Sequence, residues 1–128
     1  MILQLDMSGE TPIYLQIRNQ IILGIGRGEL HPGDSLPTVR QLASEVGINA
    51  MTVNKAYALL KAEGYIEIDR RHGAMIRPIP ETPEEIDKEM KEQLALLAAQ
   101  AAARGISREK FMEACAEAVE SAKMLGGN

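Results

Sequence analysis

The side chains that could perform catalysis or hold a metal are few and widely separated in this sequence. His31 and His72 are the only histidines, and Cys115 is the only cysteine. The sequence contains no HExxH, no paired CxxC and no GxSxG, the spacings that assemble a zinc site or an activated nucleophile. Cys115 lies in a predicted helix among alanine and glutamate, where a cysteine usually packs as a small apolar residue. We therefore predict that the chain is not an enzyme and binds no metal or cofactor.

The composition is that of a globular chain with one compact core. Of 128 residues, 45% are hydrophobic and 25% are charged, but only 3% are aromatic. Aliphatic residues and methionine must therefore build the core. No apolar run approaches the roughly 18 residues of a membrane span, and the N-terminus lacks the pattern of a signal peptide. A single cysteine allows no internal disulfide, so we expect a cytoplasmic protein without a membrane partner.

Charge and proline divide the chain into two parts. Residues 1–80 carry eight basic and eight acidic side chains, whereas residues 81–128 carry six and ten. Three prolines lie at this change, between Pro78 and Pro83, where they can continue neither a helix nor a sheet. We predict a first domain over residues 1–77, and a linker with a second helical part over residues 78–128.

The first part begins with a predicted helix that packs on a core. Thr11 is expected as its N-cap and Pro12 as its first helical residue, and the helix should end near Arg27. Its apolar stripe consists of residues at a spacing of four: Ile13, Ile17, Ile21 and Ile25.

Two further helices are separated by a short turn. The second helix begins at Thr38, whose spacing to Gln41 is that of a capping box, and ends at Gly47. The third is capped by Asn49, runs to about Glu63, and is terminated by Gly64. The inner face of the second helix is predicted to consist of Val39, Leu42, Ala43 and Val46. That of the third helix is predicted to consist of Val53, Ala56, Tyr57 and Leu60.

Two short strands follow the third helix. Residues 65–68 and 74–76 are predicted to pair across a polar turn at residues 69–73, in which Gly73 supplies a positive φ. Three helices with a tight turn between the last two, followed by a hairpin, are the order of a winged helix-turn-helix. The predicted fold class is therefore mainly α with a small β-hairpin.

A dense run of motif residues spans most of the first part. These residues are Leu30-His-Pro-Gly-Asp-Ser-Leu-Pro-Thr-Val-Arg40-Gln-Leu-Ala43, Val46-Gly-Ile-Asn49, Thr52-Val53, Ala56-Tyr57, Leu60 and Glu63-Gly64-Tyr65-Ile66. Through them, residues 12–76 resemble the DNA-binding domain of the GntR family of bacterial transcription regulators. The second part is too short for the usual effector domain of that family. Its two predicted helices resemble the YtrA-type subfamily, whose members often control transporter operons.

The resemblance implies which side chains contact DNA. The third helix would enter the major groove, with Arg40 on a phosphate or a guanine and the wing along the backbone or in the minor groove. Many GntR relatives carry arginine where this chain has Ala50, so we expect one guanine contact to be missing. The implied contact residues are Arg40, Asn49, Met51, Thr52, Asn54, Lys55, Arg70, Arg71, His72 and Gly73.

The second part reads as an assembly element of two helices. Thr82-Pro83-Glu84-Glu85 is predicted to start the first helix with a capping box, Gly105 to end it, and Ser107 to cap the next. A hairpin of this size cannot bury two apolar stripes alone. It either folds back on its own winged domain or, as we favour, pairs with the same hairpin of a second chain. The predicted dimerisation residues are Ile86, Met90, Leu94, Leu97, Ala101, Phe111, Ala118 and Ala122, in stripes that also include Cys115 and Leu125.

These features predict a homodimeric, sequence-specific regulator that binds double-stranded operator DNA and represses transcription. A winged-helix protein-interaction module without direct DNA binding is the alternative, supported by a sequence pI of about 5.2. DNA binding is favoured by the local positive charge of Arg40, Lys55, Arg70 and Arg71. This local charge matters more than the net charge of the chain, because charges farther away than a Debye length are screened. A small-molecule effector is also compatible with the sequence, which names no ligand for it.

Overall fold

The computed structural model of the chain describes residues 3–80 and 82–124. In chain order the elements are α1 (Ile13–Gly26), α2 (Val39–Val46), α3 (Ala50–Ala62), β1 (Ile66–Asp69), β2 (Gly73–Ile76), α4 (Lys88–Ala103) and α5 (Arg108–Ser121). β1 and β2 form an antiparallel hairpin in which Ile66 pairs with Ile76 and Asp69 with Gly73. The predicted fold class, a winged helix-turn-helix followed by two helices, is confirmed. Contacts divide the chain into a winged unit that ends at Ile79 and a helical unit that begins at Pro80.

The core of the winged unit is built from the predicted inner faces of its three helices. Ile17 and Ile21 of α1 are fully buried, while Ile13 and Ile25 are half-buried at the ends of the same stripe. All four predicted inner residues of α3 are buried. The hairpin closes this core, which comprises Ile17, Ile21, Leu36, Leu42, Ala43, Val53, Ala56, Tyr57, Leu60, Ile66, Ala74 and Ile76.

Local capping sets the turn between α2 and α3 as predicted. Thr38 and Gln41 form a reciprocal capping box, in which the Gln41 N–H donates to Thr38 Oγ1 at 3.1 Å. Gly47 ends α2 at φ 72°, a left-handed conformation that favours glycine. Asn49 caps α3 by accepting from the Met51 N–H at 2.7 Å. The turn is therefore only three residues long, and it fixes the direction in which α3 leaves α2.

The prediction that Thr11 caps α1 was wrong. Pro12 is the N-cap, with ψ 144°, and no side chain caps the helix. The Pro12 carbonyl accepts from the N–H groups of Leu15 and Gln16, each at 3.1 Å. The Thr11 carbonyl instead accepts from Gln16 Nε2 at 2.8 Å. The extended ψ of Pro12 moves the first helical residue to Ile13.

β1 lies one residue later than predicted, β2 begins one residue earlier, and a third segment pairs with the hairpin. Tyr65 lies outside β1, because its N–H completes the end of α3 by donating to the Leu60 carbonyl at 2.9 Å. On the other edge of β2, Ser35 forms a bridge with Met75. The N–H of Leu36 donates to the Ala74 carbonyl at 2.8 Å. The chain entering α2 therefore forms part of the wing.

Two glutamines of α1 hold the N-terminal segment. The amide of Gln16 accepts from the Asp6 N–H at 2.8 Å and donates to the Asp6 carbonyl at 2.9 Å. Gln20 makes the same pair of bonds with the backbone of Gln4. Each glutamine amide thus bonds both the backbone N–H and the backbone carbonyl of one residue, as a neighbouring β-strand would. Leu3 and Leu5 pack against the core from this segment.

The helical unit starts later than predicted. The expected start at Thr82-Pro83-Glu84-Glu85 was wrong, because α4 begins at Lys88 with Asp87 as its N-cap. The Asp87 carboxylate accepts from the Met90 N–H at 2.8 Å. Aspartate is the stronger N-cap, and its charge also suits the positive end of the helix dipole. Ile86, predicted as the first residue of the apolar stripe, therefore precedes the helix.

The hairpin of α4 and α5 leaves its apolar stripe exposed. Gly105 turns the chain at φ 75°, and Ser107 caps α5 as predicted by accepting from the Lys110 N–H at 3.2 Å. Ala101 is the buried residue among the described part of this unit. Leu125, predicted to extend the stripe of α5, lies outside the described residues. Among residues 3–80 and 82–124, no helix has the length and apolarity needed to cross a membrane.

An ion pair joins α1 to the end of α3. Arg18 donates from Nε and Nη2 to the two carboxylate oxygens of Glu63, each at 2.8 Å. The hydrogen bond from Arg18 holds the pKa of Glu63 below its usual value. Such a bidentate pair has a fixed geometry as well as charge complementarity.

Replacing Glu63 with glutamine should lower the free energy of unfolding by about 1 kcal/mol at pH 7, because it removes the charge and keeps the shape. A lowered carboxyl pKa stabilises the fold above the ordinary carboxyl range, and this stability is lost as pH falls through the lowered value. In urea unfolding, the difference in stability between the two proteins should therefore shrink as the pH is lowered below the ordinary carboxyl range. A difference that does not change with pH would contradict this role for the ion pair.

Candidate nucleic-acid interface

The start of α2 presents an unpaired cation. Arg40 is the second residue of α2 and is exposed. Within residues 3–80 and 82–124, its side chain makes no hydrogen bond or ion pair. The Gln41 N–H is bonded within the capping box, and the helix dipole makes the N-terminal end of α2 positive. Arg40 and the helix end can therefore bind an anion such as a phosphate together.

One side of α3 is exposed, and we name it the outer face. It consists of residues that recur at helical spacing: Ala50, Met51, Asn54, Lys55 and Ala58. This face is apolar at the start of the helix and polar in its middle. Thr52 is half-buried between this face and the core. The predicted contact residues Met51, Asn54 and Lys55 thus share one exposed stripe, opposite the buried residues of the same helix.

Lys55 has a partner that the sequence pattern did not indicate. Its ammonium lies 4.0 Å from the centroid of the Tyr14 ring, which belongs to the first turn of α1. The negative face of an aromatic ring attracts a cation at this distance. Tyr14 therefore restrains the lysine without neutralising its charge. The two residues are far apart in sequence and meet only because α1 packs on α3.

A single carboxylate organises the tip of the wing. Asp69 Oδ1 accepts from the N–H groups of Arg71 and His72, the former at 2.8 Å. Asp69 Oδ2 lies 3.2 Å from His72 Nδ1. Hydrogen bonds from His72, first from its backbone and then from its side chain, lower the pKa of Asp69. The turn is completed by Gly73 at the predicted positive φ, here 69°.

The two arginine side chains of the wing tip take no part in these bonds. Arg70 and Arg71 are exposed, and their guanidinium groups make no hydrogen bond or ion pair among the residues that the structure describes. His72 contributes its exposed imidazole to the same tip. The tip can therefore lie along a polyanion while Asp69 keeps its backbone ordered.

One phenol connects α3 to the chain entering α2. Tyr57 is 2% exposed, and its hydroxyl donates to the Pro37 carbonyl at 2.7 Å. Burial, with a smaller contribution from the charge of Glu45, raises the pKa of Tyr57 to about 12. The phenol therefore stays protonated and remains a donor at neutral pH. Sequence periodicity placed Tyr57 in the core but gave no signal for this bond.

The predicted dimerisation residues differ in exposure. Ile86, Met90, Leu94 and Leu97 are all about half exposed or more, with Leu97 at 55%. Phe111 and Ala122 are half-buried, Ala118 is exposed, and Ala101 is buried between the two helices. Ala122 is the C-cap of α5 and not a residue within it. The exposed apolar stripe therefore lies on α4 and at Ile86, two residues before α4 begins.

Comparison with protein families identifies the winged unit. The family described as "Bacterial regulatory proteins, gntR family" matches residues 12–76. The HTH-type transcriptional repressor YtrA of Bacillus subtilis is 39% identical over 98% of this chain and 96% of its own length. That similarity includes α4 and α5 as well as the winged unit. The similar proteins are named as transcriptional regulators and not as enzymes, in agreement with the prediction from the sequence.

Solved structures show the same architecture. YtrA of Sulfolobus acidocaldarius, a GntR-family transcription factor, superposes with a TM-score of 0.66 at 38% identity, covering 80% of this chain and 99% of that one. A structure described as a transcriptional antiterminator of Listeria monocytogenes superposes with a TM-score of 0.84 at 25% identity, covering 100% and 96%. The arrangement of a winged helix-turn-helix and two further helices is therefore shared.

Replacing Asp69 with alanine should speed hydrogen exchange of the Arg71 and His72 amides about fivefold, because both lose their acceptor. Asp69→Asn is the matched control, since it removes the same charge but keeps Oδ1 as an acceptor. Exchange measured by NMR should therefore remain slow in the asparagine variant. Equal rates in the two variants would show that charge, and not this hydrogen bonding, orders the wing.

Proposed function

The chain belongs to the GntR family of bacterial regulatory proteins, and we propose that it is a homodimeric repressor of an operator with inverted half-sites. As a member, it is a transcription regulator with a DNA-binding winged-helix domain. The observation that carries the proposal is the division of α3 into a buried face and an outer face with unused hydrogen-bonding groups. Similarity to a protein named as a repressor supports repression, and the YtrA-type resemblance favours a transporter operon as the target. Such a repressor acts beside the chromosome, which agrees with the cytoplasmic location expected from the sequence.

In this proposal α3 enters the major groove with its first turn against the base edges. Asn54 pairs with adenine through both its amide groups, and Thr52 contacts a phosphate or a base. Asn49 keeps its role as the cap. Lys55, restrained by the Tyr14 ring, binds a phosphate on the side of α1. Sequence information then comes from few side chains, and the remaining contacts set the position on the duplex.

The start of α2 and the wing supply the phosphate contacts on either side. Arg40 and the positive end of α2 bind one backbone strand. Arg70, Arg71 and His72 lie along the next minor groove, where Gly73 adds no side chain that would obstruct the approach. Each bound phosphate releases condensed counterions, so affinity should fall steeply with salt.

A second copy of the chain covers the apolar stripe of α4. Met90, Leu94 and Leu97 are spaced for one helix face, and they are exposed within the single chain. Burying such side chains stabilises association by about 25 cal/mol per Å² of apolar surface. A two-fold dimer presents two copies of α3 to successive major grooves, roughly 34–36 Å apart. The acidic surplus of residues 81–128 keeps this part away from the DNA phosphates.

Fluorescence anisotropy of the purified chain with duplex DNA from upstream of its own gene tests the proposal. A scrambled duplex is the control, at about 50 and 200 mM salt. We expect tighter binding to the native fragment, saturating at two chains per duplex. Equal and weak binding to both duplexes would contradict operator recognition. No binding at the lower salt would favour a protein-interaction module.

Arg40→Ala should weaken binding to native and scrambled duplexes alike and reduce the salt slope by about 1 for each lost phosphate contact. Arg108→Ala in α5 is the matched control and should leave both quantities unchanged. Asn54→Ala should instead change the ranking of operator variants while keeping the slope. An Arg40→Ala protein with unchanged affinity and slope would remove Arg40 from the interface.

Leu97→Glu should convert the dimer to monomers of 14.0 kDa in sedimentation equilibrium. Operator affinity should then fall more than tenfold, since each monomer holds only one half-site. Leu96→Glu is the matched control, because Leu96 is similarly exposed, at 60%, but lies off the stripe. A dimer that survives in Leu97→Glu, or is lost equally in Leu96→Glu, would contradict pairing through α4.

A further inference from the structure

The most exposed large apolar side chain lies at the start of α3. Met51 is 78% exposed, whereas the next highest values among the described residues are 60%. Its backbone is fixed, because its N–H donates to Asn49 Oδ1 at 2.7 Å. Isolated exposed hydrophobic residues are common, so exposure alone carries little information. Met51 differs from such isolated residues because it lies on the outer face, in the turn of α3 that approaches the bases in the proposed complex.

The first turn of the outer face can make apolar contacts only. Ala50 and Met51 carry no side-chain donor, and the Met51 sulfur is a weak acceptor. Guanine, cytosine and adenine present only donors and acceptors in the major groove, whereas thymine also presents its C5-methyl group. The short Ala50 side chain leaves room for the longer methionine beside it. The unbranched, polarizable thioether can adapt to a methyl group at the groove floor.

We infer that Met51 is a specificity-determining residue that packs on the C5-methyl group of a thymine in each operator half-site. This inference rests on the proposed function, since it requires α3 to lie in the major groove. Asn54 follows Met51 by three positions on the same face, so an adenine contact would lie next to the thymine contact. The recognised pair of neighbouring bases would then present a thymine methyl group beside the hydrogen-bonding edge of an adenine.

Replacing thymine with uracil tests the contact, because uracil differs only in lacking the methyl group. The fragment from upstream of the chain's own gene is amplified with either dTTP or dUTP, and both duplexes are titrated by anisotropy. Losing one methyl contact should weaken binding about fourfold, so losing one in each of two half-sites should weaken binding about sixteenfold. The wild-type chain should therefore prefer the thymine duplex by about sixteenfold.

The variants separate this contact from general effects of uracil on DNA shape. Met51→Ala should bind the thymine duplex more weakly and bind both duplexes with similar affinity. Met51→Leu keeps an apolar side chain and should retain most of the preference. Met112→Ala, which removes another exposed methionine on α5, should keep the full wild-type preference. Circular dichroism and the fitted binding stoichiometry report whether each variant is folded and active.

Two results would overturn the inference while leaving the proposed function intact. One is saturable binding by the wild-type chain without a preference for thymine. The other is a Met51→Ala protein with the same preference as the wild type. Failure of the wild-type chain to bind either duplex would overturn the proposed function, and this inference with it.

Discussion

The hydrogen bond from the Tyr57 hydroxyl to the Pro37 carbonyl fixes α3 relative to the chain entering α2. Pro37 directly precedes Thr38, the N-cap of α2, so the bond couples the position of Arg40 to α3. One residue earlier, the Leu36 N–H donates to the Ala74 carbonyl of β2, which ties the same short segment to the wing. Residues 34–38 thus connect the start of α2, α3 and the hairpin. Because Tyr57 is buried and its pKa is raised to about 12, this connection does not change with pH in the neutral range.

The core of the winged unit fixes the direction of the side chains that contact DNA in the proposed complex. The buried faces of α1, α2 and α3 build one core, so the remaining face of each helix is fixed in direction. Arg40, the outer face of α3 and the wing tip are then presented without internal ion pairs that DNA would have to break. Asp69 and Tyr14 are the exceptions, and each leaves a cation available: Asp69 orders the backbone beneath the arginines, and Tyr14 restrains Lys55. Preorganisation of this kind lowers the entropic cost of binding.

Features encoded by neighbouring residues could be predicted from the sequence, and features that depend on packing could not. The capping box of Thr38 and Gln41, the Asn49 cap and the left-handed Gly47 and Gly73 are local, and the structure has them as predicted. The bridge between Ser35 and Met75 and the Tyr14–Lys55 contact join segments distant in sequence, so no periodicity indicates them. The predicted start of α4 was wrong because Thr82 matches the capping-box spacing, whereas Asp87, five residues later, caps the helix. The DNA-contact residues follow from resemblance and the dimerisation residues from helical periodicity, and both sets remain proposals.

Hydrogen–deuterium exchange of the full chain, with and without the upstream duplex, measures which elements contact DNA. We expect slower exchange on binding DNA at residues 38–42, in the first turn of α3, and at residues 69–73. Residues 88–121 should exchange equally in the free and bound chain at the same protein concentration, because in the proposed complex those helices face a second chain and not the DNA. Protection confined to residues 88–121, or absent from α3 while the duplex is bound, would contradict a DNA interface built on the winged unit.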